Sequence, residues 1–149
     1  EINPNAKFHF LTKDDPGIIY SEIKEIGIQP EDIIVEESDR KDIPFKTRNW
    51  NFSVFFILPC FSKLSSSPTK QGELMGMGIP IICNSGVGDV DSIVEKYQSG
   101  HVVPNINRLN LDEVLNKKFD KQTLRKGAND YFSLIKGVES YHMIYENIC

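Results

Sequence analysis

Between residues 65 and 80 the chain reads SSSPTKQGELMGMGIP, and much of its chemistry is gathered there. Ser65, Ser66, Ser67 and Thr69 offer hydroxyls, Lys70 a cation and Glu73 a single carboxylate. Ser67 before Pro68 predicts a helix start, with Ser67 as N-cap and Pro68 in the first helical position, where its missing N–H costs nothing. The N–H groups of Thr69 and Lys70 then point out of the helix and, with the helix dipole, form an anion site suited to phosphate. The hydroxyls add donors, and Lys70 adds positive charge if it turns toward the ligand. Glu73 lies one turn beyond Thr69 on the same face. A carboxylate there can accept hydrogen bonds from two adjacent hydroxyls, such as those of a ribose. Gly72 and Gly76 each cost a helix about 1 kcal/mol against alanine. Being four apart, they predict a flat strip for close packing on a strand or a ligand. The competing reading is ordinary: a serine-rich loop, Ser-Pro capping and a solvated glutamate.

Strands and helices must alternate to position such a site. KFHFL (7–11) reads as a strand, and 18–27 has helical periodicity ending on Gly27, a good C-terminal cap. DIIVEE (32–37) is a second strand, and 42–50 reads as a short helix with Asp42 as N-cap and Pro44 near its start. VFFILP (54–59) is a third strand, apolar throughout, as expected when both faces of a parallel sheet are covered. The helix of the quoted stretch follows and ends at Gly78. IPIIC (79–83) is a fourth strand, 90–98 an amphipathic helix stopped by Gly100, and HVV (101–103) a last strand. Helices are expected over 111–118, 121–135 and 138–148. This pattern predicts an α/β fold, Rossmann-like, with a mostly parallel sheet in three α/β/α layers and C-terminal helices. Glu1-Ile2-Asn3-Pro4 reads as the end of a helix that would precede KFHFL, so the first βα unit of such a domain is expected upstream of residue 1.

Composition narrows the classes. The chain has 149 residues, a size suited to one domain, and a net charge of −4, which argues against nucleic acid as a main partner. Lys41, Lys46 and Arg48 form one mild basic cluster, expected to be a solvated helix face. The longest apolar run, Val54 to Leu58, is too short for a membrane span. Cys60, Cys83 and Cys149 form no CxxC and fit reduced thiols, with Cys60 and Cys83 expected in the core. His9, His101 and His142 are isolated, so no metal site is expected.

The run PTKQGELMGMGIPII, followed by Gly86 and Gly88, resembles the C-terminal donor-binding domain of GT-B-fold glycosyltransferases. More narrowly, it is similar to the retaining group of bacterial polysaccharide and glycolipid transferases. The resemblance lies in the order of parts: VFFILP, the loop SKLSSSP, the helix TKQGELMGMG, GIP, the strand IIC and the turn SGVGD. PNAKFHFL (4–11), IVEKYQSGHVV (93–103) and YHMIYENI near the end extend it over nearly the whole chain. It implies a nucleotide-diphosphate sugar as donor substrate, with the diphosphate on the helix start at Thr69 and Lys70 and the ribose hydroxyls on Glu73. The family's other motif glutamate, eight residues earlier, falls on Ser65, where Ser65 or Ser66 would supply a hydroxyl instead. The family's Arg and Lys for the diphosphate belong to the absent first βα unit. Thr12 and Lys13 stand where a glycine usually follows the second strand. The loop from Glu37 to Asp39 would flank the base.

On this resemblance residues 1–149 are the donor-binding half of a larger two-domain enzyme. That enzyme would transfer a glycosyl group to a saccharide or lipid-linked acceptor, without metal or further cofactor. It implies a cytoplasmic setting, with peripheral membrane association of the full enzyme open, and an isolated chain without transferase activity. Two alternatives stand beside it. One is a sugar-nucleotide epimerase of the same fold, for which His101 and His142 are the available imidazoles. The other is a non-catalytic interaction domain of flavodoxin-like topology.

Overall fold

A computed structural model describes residues 6–108 and 110–148 of the chain. The fold is α/β and compatible with a Rossmann-like arrangement, as the alternation predicts. The strands form two parallel sheets, one in each of two compact units, Glu1–Arg48 and Asn49–Cys149.

The first unit is a strand–helix–strand element followed by a short helix. Strand β1 (Phe8–Leu11) pairs in parallel with β2 (Ile33–Glu36), in the register Phe8↔Ile33 to Leu11↔Glu36. Helix α1 (Pro16–Glu25) connects them. Its start is fixed by Asp15, whose carboxylate accepts from the Gly17 N–H, and Gly27 follows its end at φ +76°. Helix α2 is a single turn, Ile43–Lys46, and not the longer helix expected over 42–50. Asp42 is itself helical and makes no side-chain cap. The Thr47 hydroxyl donates back to the Ile43 carbonyl, a local alternative to continuing the helix. Lys46 is not simply solvated. It donates to Glu36 Oε2 at 2.6 Å and to the Glu37 carbonyl at 2.7 Å, while His9 meets Glu36 Oε1 at 2.9 Å.

The second unit carries the candidate site. Its sheet runs β3 (Ser53–Phe55), β4 (Ile81–Asn84), β5 (Gly100–Val103), all parallel. Helices α3 (Thr69–Met77) and α4 (Val90–Tyr97) connect these strands in turn. Helices α5 (Leu111–Asn116), α6 (Lys121–Tyr131) and α7 (Leu134–Ile148) follow. Strand β4 is central and buried on both faces. Ile81 and Cys83 join Leu74, Val87, Val90 and Val94 in one core, whereas Ile82 packs with Val103 and Val114 in another. That split places α3 and α4 over one face of the sheet and α5 over the other, a three-layer arrangement within this unit.

Several boundaries differ from the sequence reading, three of them for reasons visible in the hydrogen bonding. Strand β3 stops at Phe55, opposite Cys83; the next residue of β4, Asn84, still pairs with Val103 of β5 but meets the segment leaving β3 through its side chain. Asn84 Oδ1 accepts from the Ile57 N–H at 2.7 Å, and its Nδ2 donates to the Ile57 carbonyl at 2.9 Å. Helix α6 ends at Tyr131, and α7 begins earlier than expected because Ser133 starts it, its hydroxyl accepting from the Lys136 N–H and its carbonyl from the Gly137 N–H.

Candidate functional site

The parallel pairing puts the carboxyl ends of β3, β4 and β5 along one edge of the sheet, the edge at which open α/β sheets bind ligands. The segment from Ile57 to Pro68 leaves β3 on this side and winds down through a short 3-10 turn, Phe61–Lys63, into α3. Helix α3 starts at Thr69, with Pro68 as its cap residue at φ −67°, ψ 109°. The expectation of Ser67 as N-cap and Pro68 inside the helix is therefore corrected by one residue. Extended ψ at Pro68 keeps it outside the turn. The Pro68 carbonyl accepts from the Gln71 N–H at 2.9 Å. No side chain caps this start, and the N–H groups of Thr69 and Lys70 have no partner inside the helix.

The structure sets the six predicted site residues along this one turn and the helix behind it. Ser65, Ser67, Thr69, Lys70 and Glu73 are exposed, and Ser66 is half-buried. Glu73, four residues beyond Thr69, shares its helix face. Helix α3 ends as predicted, on Gly78 in the left-handed conformation (φ 74°), where the N–H of Ile79 reaches the Leu74 carbonyl.

The turn after β4 closes on this loop. A methyl group added to Gly88, which sits at φ +49°, would lie 1.7 Å from the Ser66 carbonyl oxygen. Only a glycine allows that approach. The Gly86–Gly88 turn and the Ser65–Ser67 loop are thus in direct backbone contact.

The two helix glycines have a different role from the expected one. Gly72 lies against the end of a neighbouring helix and not against a strand: a Cβ there would meet Phe132 Cγ at 2.5 Å. It allows α3 to lie close against the end of α6. Gly76 has only the Ala128 Cβ near it, at 3.9 Å, which is ordinary contact. Cys60 is a second correction. It is exposed, because β3 ends before it and leaves it in the loop, whereas Cys83 is fully buried as expected. The Ser62 hydroxyl beside Cys60 lowers its pKa, and burial, then Asp91, pushes the Cys83 thiol up to about 12. Cys149 lies outside the described residues.

Four residues around the site carried no sequence signal. Asn84 holds the segment leaving β3. Gln71 is fully buried with both amide atoms unpartnered. Asp89 accepts a hydrogen bond from the Tyr131 hydroxyl at 2.8 Å. Such pairings join residues far apart in the chain, and no local pattern announces them. Two clefts of this unit, about 440 Å³ beside Asp91 and His101 and about 210 Å³ beside Trp50 and Phe119, are lined by none of residues 65–73. His101 is half-buried in β5, and His142 on α7 pairs with Glu146 at 3.1 Å. In the other unit Glu37, expected near a base, meets Lys13 at 3.4 Å. Among the described residues no group of three or more His, Cys, Asp or Glu is placed to hold a metal ion, and no helix is long and apolar enough to cross a membrane.

No protein-family model matches the chain, and a search of curated proteins finds no match.

Proposed function

We propose that this chain binds the nucleotide-diphosphate part of a sugar donor and is the donor-binding half of a GT-B-type glycosyltransferase. One observation carries the reading: an uncapped helix start at the carboxyl edge of a parallel sheet, held against a glycine turn, with Glu73 one turn inside. The first-turn N–H groups of Thr69 and Lys70 bind the diphosphate, helped by the helix dipole and the Lys70 charge. Glu73 accepts from the two ribose hydroxyls. Ser65, Ser66 and Ser67 line the approach, Ser65 or Ser66 standing in for the family's other motif glutamate. In transfer, the same helix start would take the charge that develops on the departing diphosphate. The acceptor, a saccharide or a lipid-linked saccharide, belongs to the rest of the enzyme, so the isolated chain binds nucleotide and transfers nothing.

A thermal-shift screen against UDP, GDP, ADP and CMP at millimolar concentration tests this. With a dissociation constant of about 0.1 mM, 1 mM ligand adds about 1.4 kcal/mol. That raises the melting temperature by about 3–6 °C in a chain of this size. The expected result is a shift with one diphosphate that inorganic sulfate does not reproduce. Equal shifts with every anion reduce the site to a bare helix terminus. A second reading, a non-catalytic interaction domain, draws on α7, which buries no residue and leaves Leu134, Val138, Tyr141, Tyr145 and Ile148 exposed. It predicts no nucleotide binding and a silent Glu73→Ala.

A further inference from the structure

Asp89 directly precedes α4, where an aspartate ordinarily accepts from the first N–H groups of its own helix. Here no side chain caps α4. Instead Asp89 Oδ2 takes the hydrogen bond of the Tyr131 hydroxyl, 42 residues away, and Oδ1 is buried without a partner. A local cap is given up for a long-range bond, a break in local consistency of the kind expected at functional sites. The residue before Asp89 is Gly88, the point at which the turn touches the Ser66 carbonyl. The residue after Tyr131 is Phe132, whose ring packs on Gly72 of α3. The end of α6 therefore fastens both neighbours of the candidate site, α3 through Phe132 and the turn through Tyr131. Acceptance by Asp89 also raises the Tyr131 phenol pKa.

We infer that Tyr131 is a positioning residue: its hydroxyl holds Asp89, and through it the Gly86–Gly88 turn, against Ser66, ordering the Ser65–Ser67 loop before any ligand arrives. A loop ordered in advance binds more tightly because less freedom is lost on binding. The effect on affinity rests on the donor-site reading, whereas the ordering of the loop does not.

Three variants test it: Tyr131→Phe, Asp89→Ala and Asp89→Asn. The first two remove the bond, and the third keeps an oxygen that accepts from the phenol. Amide hydrogen exchange at 65–67 and 86–89 is measured without ligand, and UDP, GDP and ADP are then titrated. Losing one such bond should speed exchange in both segments about 2- to 10-fold in Tyr131→Phe and Asp89→Ala, with Asp89→Asn close to wild type. Affinity for the preferred diphosphate should fall by a similar factor in the same two variants. Unchanged exchange in Tyr131→Phe, or an Asp89→Asn as disruptive as Asp89→Ala, overturns the positioning role. Altered exchange with unaltered affinity overturns its link to binding. If the wild type binds none of the three nucleotides, the donor-site reading falls, and the exchange result alone decides the role of Tyr131.

Discussion

Replacing each helix glycine of α3 by alanine should change stability in opposite directions. In an exposed helix interior alanine is favoured over glycine by about 1 kcal/mol. Gly76→Ala should keep most of that gain, because its new methyl meets only the Ala128 Cβ at 3.9 Å. Gly72→Ala gains the same propensity but drives its methyl to 2.5 Å from Phe132 Cγ and 2.9 Å from both Cβ and Cδ1. These atoms form the root of the ring, so relief requires α3 and α6 to separate and not just a rotamer change. Overpacking of this kind costs about 1–3 kcal/mol, here toward the upper end. The net expectation is about 1–2 kcal/mol of destabilisation for Gly72→Ala and about 0.5–1 kcal/mol of stabilisation for Gly76→Ala. Urea denaturation measures both, as a lower and a higher midpoint at unchanged slope. A Phe132→Leu change should cost less in the Gly72→Ala background than alone, since the two positions share one contact. Midpoints that move the same way in both glycine variants would refute the packing account of Gly72.

Other outcomes follow from the same geometry. Asn84→Ala strips both backbone partners from Ile57 and should cost about 1–3 kcal/mol, read as a lower urea midpoint. Iodoacetamide should alkylate Cys60 in the folded protein, with a rate profile whose midpoint lies below that of an ordinary thiol, and should reach Cys83 only on unfolding. For Cys83 the folded pKa, about 12, lies above the unfolded value. The unfolded chain therefore loses this proton first as pH rises, and the stability tied to the neutral thiol is full below about pH 8.5 and lost progressively toward pH 12. Cys83→Ala, compared with wild type across that range by urea denaturation, should show a shallower decline.

The parts legible in the sequence were those with a local signature. The apolar IIC run marked the central strand, because both of its faces are covered. Gly78 marked the end of α3, because the left-handed turn there suits glycine. What the sequence hid depends on distant partners. The division of the strands into two sheets is a matter of pairing, which apolar content does not encode. Strand β3 ends where the Asn84 side chain takes over from backbone pairing, and the purpose of Gly72 is set by a ring 60 residues further on, on Phe132. The six candidate residues could be proposed from the sequence because they fall within one nine-residue stretch. Asn84, Asp89 and Tyr131 could not, since their bonds cross from one element to another.

On the proposed function, Glu73 and the start of α3 hold a nucleoside diphosphate. Calorimetric titration of UDP, GDP and ADP into wild type and Glu73→Ala tests this, with urea denaturation of both proteins confirming that the variant is folded; Glu73 is exposed on α3. Hydrogen bonds to a charged group contribute about 1.5–3 kcal/mol, so the variant should bind the preferred diphosphate about 10- to 150-fold more weakly. Equal affinities in the two proteins would contradict the account.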